Sequence, residues 1–134
     1  MSGRAHSDAF MALLGANPKL NPLKGKVPQG TEPPYVTVYF SDTHPADEQA
    51  NNLDGGSQRY TLWATTHSVG ENEDAALIVS DQVGASVLDV TPTVPGRTCW
   101  PIRRELGRDV RRDESTGITV QDKVDVYRIE SMPA

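Results

Sequence analysis

Five prolines (Pro18, Pro22, Pro28, Pro33 and Pro34) fall within residues 18–34, alongside three lysines and two glycines. Proline lacks the backbone N–H and fixes φ, so this stretch can be neither a long helix nor a central strand. It reads as an extended connector, which separates one element before it from a fresh start after it. That start is Tyr35-Val36-Thr37-Val38-Tyr39-Phe40, a run built almost wholly of β-branched and aromatic residues. Val36, Val38 and Phe40 share one face, Tyr35, Thr37 and Tyr39 the other, as a strand requires.

The element before the connector is a short helix. Ser7 is a candidate cap, Asp8 suits the positive N-terminal end, and Ala9, Phe10, Leu13 and Leu14 form one apolar stripe that Gly15 closes. After the first strand comes a polar segment, Ser41 to Gly56, with Asp42, Asp47, Glu48 and Asp54 and no lysine or arginine. Gln58 to Thr66 then reads as a second strand, with Tyr60, Leu62 and Ala64 opposed to Arg59, Thr61 and Trp63. Ser68-Val69-Gly70-Glu71 has the capping-box form, predicting a helix whose apolar stripe is Ala76, Val79, Val83 and Val87. Thr98 to Arg112 and Ile118 to Glu130 read as the arms of a long hairpin around Asp113–Gly117. Val120, Val124 and Val126 lie on one face of its second arm, Tyr127 and Ile129 on the other. The order predicts an α+β fold: an antiparallel or mixed sheet of about four strands with two flanking helices.

The 134 residues fit one domain spanning 1–134, with enough apolar content (37%) to close a core without a disulfide or metal. Cys99 is the single cysteine, so it has no intrachain disulfide partner, and in a strand it reads as a small buried hydrophobe. The net charge is −5, which argues against a general DNA-coating protein. No apolar run approaches the ~18 residues of a membrane span, and Met1-Ser2-Gly3-Arg4 does not open a signal peptide, so a soluble protein of a reducing cytosol is expected.

Charge is segregated. Residues 42–89 hold nine acids and one base, Arg59; residues 97–112 hold six arginines (Arg97, Arg103, Arg104, Arg108, Arg111 and Arg112) and two acids. Two opposite patches suit a heterologous contact between copies, and equally suit intrachain pairing or solvated faces. Signatures of chemistry are missing. There is no phosphate-binding glycine loop, no nucleophile elbow and no His-Glu-x-x-His. His6, His44 and His67 are dispersed, and the spacing of His44, His67 and Cys99 does not support a metal site. His67 reads as a residue at a strand boundary. Pro45 and Ala46 break a calcium loop where ligands belong, and Asp47-Glu48 reads as an exposed pair of ionised acids.

One pattern is more specific. The short helix, the proline-rich connector, Pro34-Tyr35-Val36-x-Val38 and Arg59-Tyr60-x-Leu62-Trp63 precede an acid-capped helix. Arg97-x-Cys99-Trp100-Pro101-Ile102-Arg103-Arg104-Glu105, Arg111-Arg112-Asp113 and Val124-Asp125-Val126-Tyr127-Arg128-Ile129 then close the chain. Over about residues 5–130 this layout resembles the tail terminator (tail completion) proteins of long-tailed bacteriophages, above all those of actinobacteria. The resemblance implies a non-enzymatic virion protein of the tail and neck, assembled in the host cytoplasm, without cofactor, metal or membrane. It implies a homo-hexameric ring that caps the tail tube protein, ends polymerisation and presents its other face to a neck or head-completion protein, with DNA passing the lumen without specific binding. The residues assigned to subunit or partner contact are Arg103, Arg104, Arg108, Arg111 and Arg112 on one side, and Asp42, Asp47, Glu48 and Asp54 on the other. The Ser41–Gly56 loop reads either as a hairpin tip or as an arm that orders on a partner. Competing readings are a head-completion (stopper) protein, a small nucleic-acid-binding module using the arginine arm, and a small hydrolase using Asp47 and Glu48.

Overall fold

Pairing partners at both flanks turn the second predicted strand into the centre of the molecule. The computed structural model describes residues 3–42, 59–114 and 119–134. In chain order they form α1 (Gly3–Gly15), β1 (Pro22–Lys24), β2 (Tyr35–Asp42), β3 (Tyr60–Gly70), α2 (Glu73–Val87), β4 (Arg97–Cys99), β5 (Arg103–Gly107), β6 (Arg111–Asp113) and β7 (Val120–Pro133). β3 lies between β2 and β7, antiparallel to both. β1 runs parallel to β2 at one edge. β4, β5 and β6 pair successively with the far side of β7. The α+β class and two helices agree with expectation.

The strand count exceeds four for two physical reasons. Proline is tolerated at a sheet edge, so Pro22–Lys24 of the connector adds β1 there. The first hairpin arm is broken into three: Pro101 has no N–H for the ladder and the Ile102 amide instead donates to the Val90 carbonyl, which parts β4 from β5, and residues 108–110 part β5 from β6. A register shift between Arg104 and Leu106 adds a second irregularity.

The register sorts the side chains. Val36 and Val38 of β2, Leu62 and Ala64 of β3, and Tyr127 and Ile129 of β7 face the helices. There they meet Phe10 and Leu14 of α1 and Val79, Val83 and Val87 of α2, closed by Leu20 and Ile102. Phe10 stands edge-on to Phe40 at 5.8 Å and 6.1 Å from Tyr127. Burying each large side chain contributes roughly 1.5–3 kcal/mol, and this cluster fixes both helices on one sheet face. Within that layer Asp125 of β7 is fully buried. It accepts hydrogen bonds from Ser80 of α2 at 2.6 Å and Lys123 at 2.7 Å, tying helix to strand.

Three local expectations are corrected. α1 begins at Gly3, so Ser7 lies inside it; its hydroxyl donates to the Arg4 carbonyl (2.9 Å) and accepts from Lys24 (3.0 Å). Ser68, Val69 and Gly70 belong to β3, because pairing with Val36 on one side and Lys123 on the other outweighs a local cap. α2 is capped instead by Asn72, whose side chain accepts from the Ala75 amide at 2.8 Å. His67 therefore sits within a strand, not at its boundary.

Candidate functional site

The broken edge along β7 carries the arginine arm. Cross-strand pairing places Arg103 opposite Arg128 and Arg104 opposite Tyr127, so neighbouring arginines point to different faces. Arg104 turns to the helix layer, donates to the Tyr127 hydroxyl at 3.2 Å and lies over its ring at 5.6 Å. That hydrogen bond holds the Arg104 guanidinium above its ordinary pKa, while burial pushes the Tyr127 phenol up. Arg97 donates to the Ser131 hydroxyl at 2.8 Å, and Arg103 reaches Asp89 at 3.3 Å. Arg112 pairs with Glu114, whose carboxyl this contact holds below the usual range. Arg108 and Arg111 are exposed and have no side-chain partner among the described residues. Intrachain bonds thus account for four of the six arginines, and two guanidinium groups remain available.

Of the acids assigned to contact, Asp42 ends β2 and accepts from the Tyr60 hydroxyl at 3.1 Å. Asp47, Glu48 and Asp54 lie outside the described residues. The structure adds acids that sequence reasoning left out of the site: Glu71, Glu73, Asp74 and Asp81 are exposed on or next to α2, beside exposed Leu77 and Ile78. Leu106 (46% exposed) and Trp100 (41%) are the large apolar groups on the arginine edge. Trp100 carries the Arg59 guanidinium over its ring at 5.6 Å, and Arg59 also pairs with Glu130.

The sheet face away from the helices carries a second feature. Residues 25–27 of the connector fold beside β2 and β3 and bound an open cleft of about 400 Å³. On it His67 Nδ1 meets Asp122 Oδ2 at 2.8 Å, and the Tyr39 ring stands edge-on to His67 at 5.5 Å. Sequence reasoning named His67 without this partner and did not single out Asp122 or Thr37. No local signal could have joined residues brought together only by the register of three strands.

Among the described residues no group of three His, Cys, Asp or Glu side chains is placed to hold a metal ion. Cys99 is half-buried in β4, and burial pushes its thiol pKa up. Among the described residues no helix is long and apolar enough to cross a membrane.

No family model and no curated protein matches the sequence. A chain in a solved structure of the virion of a native gene transfer agent (GTA) particle has a similar fold, with a TM-score of 0.57 at 13% identity. The match spans 92% of this chain and 84% of that one, so the likeness takes in nearly the whole fold just described.

Proposed function

We propose that this chain is a structural protein of a phage-like virion and acts as a tail terminator: six copies form a ring that caps the tail tube, stops its polymerisation and joins it to the neck. The sequence pattern and the fold shared with a chain of a gene transfer agent virion support this reading. The observation that carries it furthest is the incomplete neutralisation of the arginine edge. A ring repeats one heterologous contact, so each copy needs two different, complementary surfaces. Among the described residues Arg108 and Arg111 have no side-chain partner on one surface of a chain whose net charge is −5, and exposed acids lie elsewhere, on or next to α2. Arg103, Arg104 and Arg112 shape that edge through their own bonds, and Asp42, Asp47, Glu48 and Asp54 are proposed contacts to the tube or the neighbouring copy. An acidic ring also repels DNA phosphate, as a conduit must.

Electron microscopy of the purified protein, alone and with tail tubes, tests this. Rings of constant diameter that attach to tube ends are expected. They should weaken near 1 M salt, where the Debye length is about 3 Å against about 10 Å at 0.1 M, and weaken further in Arg108→Glu/Arg111→Glu. Dispersed monomers without tube affinity, or salt-sensitive micromolar binding to duplex DNA, refute the reading; the expected DNA affinity is roughly 10⁻⁴ M or weaker.

A further inference from the structure

The cleft on the helix-free face contains polar atoms that nothing in the described chain satisfies. Thr37 is 1% exposed, lines the cleft, and its hydroxyl oxygen has no hydrogen-bond partner among the described residues. Asp122 lines the same cleft; His67 engages one carboxylate oxygen, while Oδ1 is buried and also without a partner. A buried carboxylate oxygen left unpaired is costly, so a structure that retains one beside an opening is built to receive a donor. The lining includes the carboxylates of Asp113 and Asp122 and the ammonium of Lys26, with Arg111 cross-strand from Asp122, so the demand for a donor comes from the unpartnered Asp122 oxygen and not from net charge. The walls select the donor's shape. Tyr35 and Tyr39 flank the opening, and the Tyr39 ring is nearly half exposed.

A planar cation with several N–H donors fits this combination better than a compact ammonium. It can stack on an aromatic ring while its N–H groups reach a carboxylate and a hydroxyl at different positions. We propose that this cleft is a receptor for a guanidinium group and that Arg108 of an adjoining copy fills it. The chemistry stands on the cleft alone, and the source of the arginine rests on the ring reading above. Arg108 is the apt donor because it is exposed on the β5–β6 connection and has no partner among the described residues. Arg111, by contrast, lies opposite Asp122 in the register of its own copy and still leaves Oδ1 unfilled. The cleft runs across the helix-free face from residues 25–27 to Asp122 of β7 and Asp113 of β6, and Arg108 is not among its lining residues, so an Arg108 that fills it comes from another copy; the ring reading makes that contact heterologous.

The test has two arms. In the first, the Arg108→Glu protein, whose cleft the ring contact cannot fill, is titrated with N-acetyl-arginine methylamide and with its uncharged citrulline counterpart. Backbone NMR shifts are followed at Thr37, His67 and Asp122. Saturable shifts are expected with the arginine probe, about tenfold weaker with the citrulline probe, and lost when Thr37→Val/Asp122→Asn is added. Absence of saturation, or equal response to both probes, overturns the site and leaves a cleft that holds only water, whether or not rings form. In the second arm, rings of wild-type protein are compared with Asp122→Arg, Arg108→Asp and the double exchange. Each single change should diminish rings and the double exchange restore them. Rings unaffected by Asp122→Arg overturn Arg108 as the occupant while leaving the terminator reading intact. Each variant's circular dichroism and melting curve separates these outcomes from misfolding.

Discussion

Asp125→Ala should be the most damaging single polar substitution in the described layer between α2 and the sheet. The carboxylate is fully buried and accepts from Ser80 at 2.6 Å and from Lys123 at 2.7 Å. Its removal strands the Ser80 hydroxyl and leaves the Lys123 ammonium, itself only 17% exposed, without its counter-charge. Breaking a buried pair from one side costs about 3–5 kcal/mol, because the surviving charge keeps its desolvation penalty. Lys123 retains some contact with water, which places the loss near the lower bound, about 3 kcal/mol. That raises the unfolded-to-folded ratio roughly a hundredfold. With an unfolding entropy of about 2.1 cal/mol/K per residue, Tm falls by about 10 °C. Urea unfolding followed by circular dichroism measures the loss, with an unchanged denaturant slope expected. Adding Lys123→Met should recover much of it, since replacing both charges by apolar groups is nearly neutral. A single-variant loss below about 1 kcal/mol, or a double variant worse than the single, would show that Asp125 and Lys123 are not a coupled buried pair.

Phe10→Ala removes the α1 anchor between Phe40 and Tyr127 and should cost about 3–5 kcal/mol in the same assay. Asn72→Ala should cost about 1 kcal/mol, the usual value of an N-cap, whereas Ser68→Ala should be neutral or slightly stabilising because its buried hydroxyl has no partner among the described residues. A larger loss at Ser68 would return the cap to the position the sequence suggests. Burial favours the neutral Cys99 thiol, and the thiolate is the nucleophile. Alkylation near pH 8 should therefore run slower than that of a free cysteine in solution; an equal or faster rate would contradict the burial.

Periodicity carried those parts of the fold whose burial is decided locally. Ala76, Val79, Val83 and Val87 all face the core, and Val36 and Val38 lie beneath the helices as their alternation demands. The hairpin from Thr98 onward is also present, its first arm pairing with β7 as β4, β5 and β6 while β7 pairs with β3 on its other side. Ser68 shows where this reasoning ends: its capping signal is real in isolation, but two neighbouring strands extend β3 through it. The arginines show a second limit. Composition reveals six positive charges, yet only the register tells that Arg104 is bound to Tyr127 while Arg108 is not. Thr37, His67 and Asp122 come from β2, β3 and β7, and their convergence depends on two ladders pairing correctly at once.

The interrupted margin of β7 has a consequence for how copies of this chain can meet. An open sheet with a long uniform border offers its unpaired amides and carbonyls as a template for another strand, and growth by that route has no natural end. Here the border is cut into β4, β5 and β6, of three, five and three residues, divided by Pro101 and by the 108–110 connection. Main-chain zippering along this side is frustrated within one turn of the ladder, so association there must be read out by side chains, which specify angle and number. A margin cut in this way does not template strand-by-strand growth between copies of this chain.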